Sequence, residues 1–155
     1  MVNIRIKAAR EHIGYSQTDL AKRLSTSQSS ISDYEHNRQI PTVQRCIDIA
    51  DICGVSRVWL VTGEGDMLQR YSSAALDTSQ DGLINRIVMA RVAGEMSYAA
   101  INRRSGVSLE AMRRWELRLN EPRLDLLLRY AEGVGVSPAW LILGIGPSPL
   151  KEVEA

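Results

Sequence analysis

Apolar and polar residues alternate with a helical period along most of this chain, and the short helices they predict are closed by Ser, Gly and Pro. The pattern is clearest over residues 16–35. Ser16 reads as an N-cap with Asp19 three residues on, the spacing of a capping box. A first short helix, Gln17–Leu24, places Leu20, Ala21 and Leu24 on one face, with Ala21 small enough to permit close helix crossing. Ser25-Thr26 form a turn and Ser27 caps a second helix, Gln28–Glu35. Ile31 and Tyr34 point inward from that helix, while Gln28, Ser29, Ser32 and Asp33 make up its other face. Surface helices usually carry Lys and Glu. A ridge of Gln and Ser, short and mostly uncharged, suits hydrogen bonding to base edges in a major groove, where Gln pairs bidentately with adenine.

The flanking segments complete a small bundle. Asn3 to Ile13 reads as a helix with Ile6, Ala9, Arg10 and Ile13 on one face, ended by Gly14-Tyr15. After a loop to Pro41, Thr42–Cys53 is a fourth helix and Gly54 its stop; Ser56 caps a fifth, with Val58, Trp59 and Leu60, broken by Gly63 and Gly65. Residues 66–81, rich in Ser, Thr, Asp and Gln, read as a linker with one helical turn around Met67–Tyr71.

Beyond the linker the chain repeats itself. Tyr34-Glu35 returns as Trp115-Glu116, an offset of 115 − 34 = 81. Pro41 meets Pro122 at that offset, Gly54-Val55-Ser56 meets Gly135-Val136-Ser137, and Trp59-Leu60 meets Trp140-Leu141. Arg5 and Arg10 meet Arg86 and Arg91, with no gap needed. Core residues and helix breakers in shared register indicate a second copy of the same fold. The expected organisation is therefore all-α, with two tandem five-helix domains at 1–65 and 82–146, a linker at 66–81, and a frayed tail at 147–155.

The first segment resembles the helix-turn-helix of the lambda-type phage repressor and Cro (XRE-like) family. The likeness rests on Gln17, Ala21, Ser27-Gln28, Ile31, Tyr34-Glu35 and Pro41, then Gly54-Val55-Ser56 and Trp59-Leu60 through Gly63-Glu64-Gly65. The family often has Gly after the Glu. Here His36-Asn37-Arg38 follows, and Asn tolerates the left-handed backbone. The resemblance implies two tandem lambda-repressor-like DNA-binding domains and a transcriptional regulator of repressor type that binds double-stranded DNA. On that reading Gln28, Ser29, Ser32 and Asp33 read bases. Gln17, Ser27, Asn37 and Arg38 meet phosphate, and Arg10 approaches a phosphate or is simply solvated. Asp33 either selects cytosine or weakens affinity by repelling the backbone.

The second copy keeps the scaffold and changes the surface. Its helix-turn-helix is expected at Ser97–Glu116, with Gly106 in the turn and Ser108 as N-cap. Tyr98 stands for Gln17, Asn102 for Ala21, and Leu109-Glu110 for Gln28-Ser29. Asn102 puts a polar group at the close helix contact. Arg103, Arg104, Arg113 and Arg114 make this copy basic: residues 82–146 hold nine Arg and six acids, 9 − 6 = +3, against 8 − 7 = +1 for residues 1–65. Two architectures stay open. Both copies bind DNA on unlike half-sites about 34 Å apart, or the second is a dimerisation or partner-binding unit, in a homodimer or an antitoxin-like or antirepressor-like complex, using Leu109, Leu117 and Leu119.

Composition adds bounds. The 155 residues and 45% hydrophobic content suit one or two small soluble domains. No apolar run reaches membrane-spanning length and no signal peptide is legible, so a cytoplasmic protein is expected. The formal net charge of +1 leaves the nucleic-acid reading to motif and distribution. Cys46 and Cys53, seven residues apart on one helix, lie roughly 10 Å apart along its axis and cannot pair. His12 and His36 lack further ligands at metal-binding spacing. No phosphate loop, nucleophile elbow or carboxylate pair is present. The expectation is no cofactor, no small-molecule ligand and no enzyme activity.

Overall fold

In the computed structural model, residues 1–69, 78–146 and 148–149 are described. Residues 70–77, half of the linker expected from the sequence, and the expected tail apart from 148–149 lie outside them. The chain divides into two compact units, Met1–Tyr71 and Ser72–Ala155. Among the described residues every element is an α-helix. The first unit holds α1 (Val2–His12), α2 (Gln17–Arg23), α3 (Gln28–Glu35), α4 (Val43–Cys53) and α5 (Arg57–Thr62). The second holds α6 (Gln80–Ala93), α7 (Tyr98–Ser105), α8 (Leu109–Glu116), α9 (Leu124–Val134) and α10 (Pro138–Leu143). Helix α6 begins inside the stretch expected as linker, because Ser79 caps it by accepting from the Gly82 amide.

The caps explain where these short helices begin. Ser16 accepts from the Asp19 amide while the Asp19 carboxylate accepts from the Ser16 amide, a complete capping box. Ser27, Thr42, Ser56, Ser97, Ser108 and Ser137 each accept from the backbone three residues on. Such a cap contributes about 1 kcal/mol. That matters for helices of six to eight residues, which are marginal in isolation.

In the first unit Ile6, Leu20, Ile31, Ile49 and Leu60 are fully buried, one from each helix. In the second, Ile87, Ile101, Met112, Tyr130 and Leu141 fill the same places, each 81 residues on. Trp115 and Tyr130 add an edge-on ring pair with centroids 6.0 Å apart. Ile13, expected on the buried face of α1, is 39% exposed, because the helix ends at His12 and the chain turns at Gly14. Burial pushes the Cys46 thiol up to about 12 and the Cys53 thiol to about 11, so both sit in the core as small protonated hydrophobes.

The two units share backbone detail as well as sequence register. Among the described residues, those with positive φ fall into pairs 81 apart: Gly14/Glu95, Ser25/Gly106, Asn37/Arg118, Gly54/Gly135, Gly63/Gly144 and Gly65/Gly146. The Arg5 guanidinium donates to the Leu60 and Val61 carbonyls at 2.9 and 3.4 Å. Arg86 donates to Leu141 and Ile142 at 2.8 and 3.1 Å.

One packing difference separates them. Helix α2 packs chiefly on α3 and lightly on α4, whereas α7 packs chiefly on α9 and less on α8. The cause is side-chain size. A Cβ at Gly133 would lie 2.8 Å from the Ser105 Cβ, so the α7–α9 approach requires glycine. The equivalent positions in the first unit are Ile52 and Leu24, whose bulk keeps α2 off α4 and leaves a cleft lined by Arg23, Arg45 and Asp48.

Candidate nucleic-acid interface

Helix α3 presents the polar ridge to solvent. Gln28 and Ser29 are exposed, Ser32 and Asp33 half-buried, and Ile31 and Tyr34 are turned into the core. The ridge is organised from beneath by Glu35, whose side chain is 2% exposed. Arg10 Nε donates to Glu35 Oε1, and Arg10 Nη2 to Glu35 Oε2 at 3.1 Å. Gln17 Nε2 donates to Glu35 Oε2 at 2.8 Å, and Gln28 Nε2 donates to Gln17 Oε1 at 2.6 Å. A carboxylate only accepts, so Gln17 must turn its NH2 toward Glu35 and its carbonyl oxygen toward Gln28. Gln28 is left with its own Oε1 and a second N–H for an outside partner. Those are the two functions that adenine N6 and N7 require.

Burial pushes the Glu35 carboxyl up, but hydrogen bonds from Arg10 and Gln17 and the Arg10 charge outweigh it, and its pKa stands below the ordinary value. The same hydrogen bond raises the Arg10 pKa. Arg10 therefore takes a place other than the expected phosphate contact. Its side chain is 11% exposed, turned onto Glu35, with Nη1 donating to the Tyr15 carbonyl at 2.7 Å. Its guanidinium is held by a buried carboxylate beneath the ridge, where sequence alone suggested a phosphate contact or a solvated side chain.

The other expected residues lie around α3. Ser27 Oγ, besides capping, is 2.9 Å from Ser29 Oγ and 2.8 Å from Ser30 Oγ. Asp33 is held by Arg38, whose Nε donates to Oδ1 at 2.7 Å while Nη2 donates to Ser32 Oγ at 3.1 Å. The pair is exposed, 57% and 39%, and such pairs contribute at most about 1 kcal/mol. Arg38 can thus exchange Asp33 for a phosphate at little cost. Asn37 is exposed at φ 56°, giving the turn after α3 that the missing glycine would have provided.

In the second unit the same carboxylate position is kept and its partners differ. Arg91 donates to Glu116 through Nε at 2.9 Å and Nη2 at 3.1 Å. Tyr98 Oη donates to Glu116 Oε2 at 2.6 Å. The guanidinium carbons of Arg91 and Arg113 lie 4.5 and 5.7 Å from the Tyr98 ring centroid. Arg114 is 3.7 Å from Glu110, and Arg103, Arg104 and Glu110 are exposed. Leu109, Leu117 and Leu119 are 37%, 68% and 62% exposed. Asn102 causes no conflict at the helix contact, because its Nδ2 donates to the Val107 carbonyl at 2.9 Å.

Glu35 and Glu116 are the site residues that sequence reasoning missed. The signal was present: Arg10 with Glu35 and Arg91 with Glu116 are opposite charges repeated at one offset, which marks a retained ion pair. Among the described residues no His, Cys, Asp and Glu cluster could hold a metal ion, and no helix is long and apolar enough to cross a membrane.

No solved structure matches the chain. Residues 6–60, from the second turn of α1 to Leu60 in α5, match the family model described as "Helix-turn-helix", and the first unit accordingly carries a helix-turn-helix domain, the type found in DNA-binding transcription regulators.

Proposed function

We propose that this chain is a sequence-specific regulator of transcription, of repressor type, made of two tandem lambda-repressor-like domains that bind double-stranded DNA. The observation that carries this is the exposed Gln28 amide, oriented by Gln17 above the buried Glu35–Arg10 pair. Gln28, Ser29, Ser32 and Asp33 face the bases. Gln17, Ser27, Asn37, Arg38 and the backbone amides opening α3 face phosphate. The offset of 81, kept in the arginine–carbonyl bonds and the left-handed positions, supports the second copy. Repression by occupying a promoter involves no catalytic step.

The test is selection of bound sites from random duplex DNA with the full chain. Gln28→Ala is expected to relax preference at one base pair at a cost of about 1–3 kcal/mol. Equal weakening on selected and random duplex would refute the base-reading role. A second reading, the second unit as a dimerisation or partner-binding module, is favoured by the exposure of Leu117 and Leu119. It predicts a stable dimer in solution that Leu117→Ser disrupts without changing the selected half-site.

A further inference from the structure

We propose that the second helix-turn-helix reads guanine through Arg113, so that the operator consists of two chemically unlike halves. The inference rests on the chain binding duplex DNA, as above, and adds which residue reads the second half and what it takes.

Arg113 stands at the register of Ser32, 113 − 81 = 32, on the exposed face of α8. In the first unit the buried carboxylate fixes an amide, Gln17, which fixes a second amide, Gln28. In the second unit that relay cannot run, because Leu109 replaces Gln28 and offers no polar group. The carboxylate instead fixes a phenol. Tyr98 is tied to Glu116 at 2.6 Å, and its ring, whose centroid is 4.5 Å from the Arg91 guanidinium carbon, also has that of Arg113 over it at 5.7 Å. The orienting role thus passes from an amide pair to an aromatic platform beneath a planar cation.

Charge pairing separates Arg113 from its neighbour. Arg114 is occupied with Glu110 in the next turn. Among the described residues no carboxylate pairs with Arg113. An exposed guanidinium with a supported plane and free N–H groups matches guanine O6 and N7, the most frequent specific contact of arginine in the major groove. Leu109, one turn earlier, can meet a thymine methyl. Arg103 and Arg104, exposed on α7 and without an ion-pair partner among the described residues, suit phosphate, as does the net +3 of this segment.

The experiment uses the full chain with Arg113→Ala, Arg113→Lys and Tyr98→Phe, each taken through selection from random duplex and then titrated on the wild-type site and on random DNA. Arg113→Ala is expected to abolish one guanine preference in the half-site that Gln28→Ala leaves unchanged, with Kd on the selected site rising about 5- to 150-fold. Arg113→Lys keeps the charge but not the fork and should lose the same guanine while retaining the salt dependence. Tyr98→Phe keeps the ring and removes its tether, and should blur the guanine preference while leaving affinity for random DNA unchanged. If Arg113→Ala weakens all duplexes equally and lowers the salt slope by about one, Arg113 is a phosphate contact and the proposal is wrong. If the wild type selects only a Gln28-dependent half-site that Arg113 variants leave intact, the proposal fails while DNA binding by the first unit stands. No preference for any duplex would remove both.

Discussion

Removing either member of the Arg10–Glu35 pair should cost far more than removing both. The pair joins α1 to the end of α3, with side-chain exposures of 11% and 2%. Breaking a buried pair from one side leaves an uncompensated charge, typically at about 3–5 kcal/mol. Glu35→Leu belongs at the low end, because Arg10 keeps the Tyr15 carbonyl and has Glu11 at 3.9 Å. Arg10→Met belongs at the high end, because Glu35 would retain only Gln17. The double variant replaces both charges with apolar groups and should come within about 1 kcal/mol of wild type. Hydrogen exchange of the Ile6, Ile31 and Ile49 amides in the full chain reads the first unit alone. The pH dependence follows from Glu35 having a depressed pKa in the folded state. Its contribution is complete above the unfolded carboxyl value of about 4.3 and is lost as pH falls through the folded value, so the gap between wild type and Glu35→Leu should close below about pH 4. Single variants each costing under about 1 kcal/mol, or a double variant equal to their sum, would refute the reasoning.

Two further stability predictions concern backbone and packing. Ser25 holds φ 52° where the second unit has Gly106, so Ser25→Gly should raise the urea midpoint of the first unit by an amount worth about 0.5–1 kcal/mol, and Gly106→Ala should lower that of the second by about 1. Gly133→Ala sets a Cβ 2.8 Å from the Ser105 Cβ and should cost about 1–3 kcal/mol in urea denaturation by forcing α7 off α9; an unchanged midpoint would show that the helices separate freely.

The positions of the short helices were legible because each is announced by a side chain that acts locally. Ser16 with Asp19, Ser27 and Ser108 satisfy amides three residues away, and Gly54 and Gly135 supply the left-handed stops. The outward placement of the polar ridge was legible for a similar reason, since Ile31 and Tyr34 fix which side of α3 is inward. What sequence could not show was where long side chains end. Arg10 and Arg38 read as free cations, yet one reaches 25 residues along the chain to Glu35 and the other folds back five residues onto Asp33. Nor did a repeat of 81 residues imply equal packing, because Gly133 against Ile52 moves a whole helix from one neighbour to another.

Arg5 and Arg86 tie the first helix of each unit to the last turn of its fifth. A terminal helix of six residues, α5 or α10, would ordinarily be the first part to fray. Here its final carbonyls are clasped by a guanidinium rooted in the opening helix, and Gly63 leaves room for that clasp, since a Cβ there would meet Arg5 Nη1 at 2.9 Å. Each bundle is in this sense a closed loop whose beginning and end are fastened together. Melting should therefore start from neither terminus of a unit, and a protease that cuts within one bundle should find either a whole substrate or none.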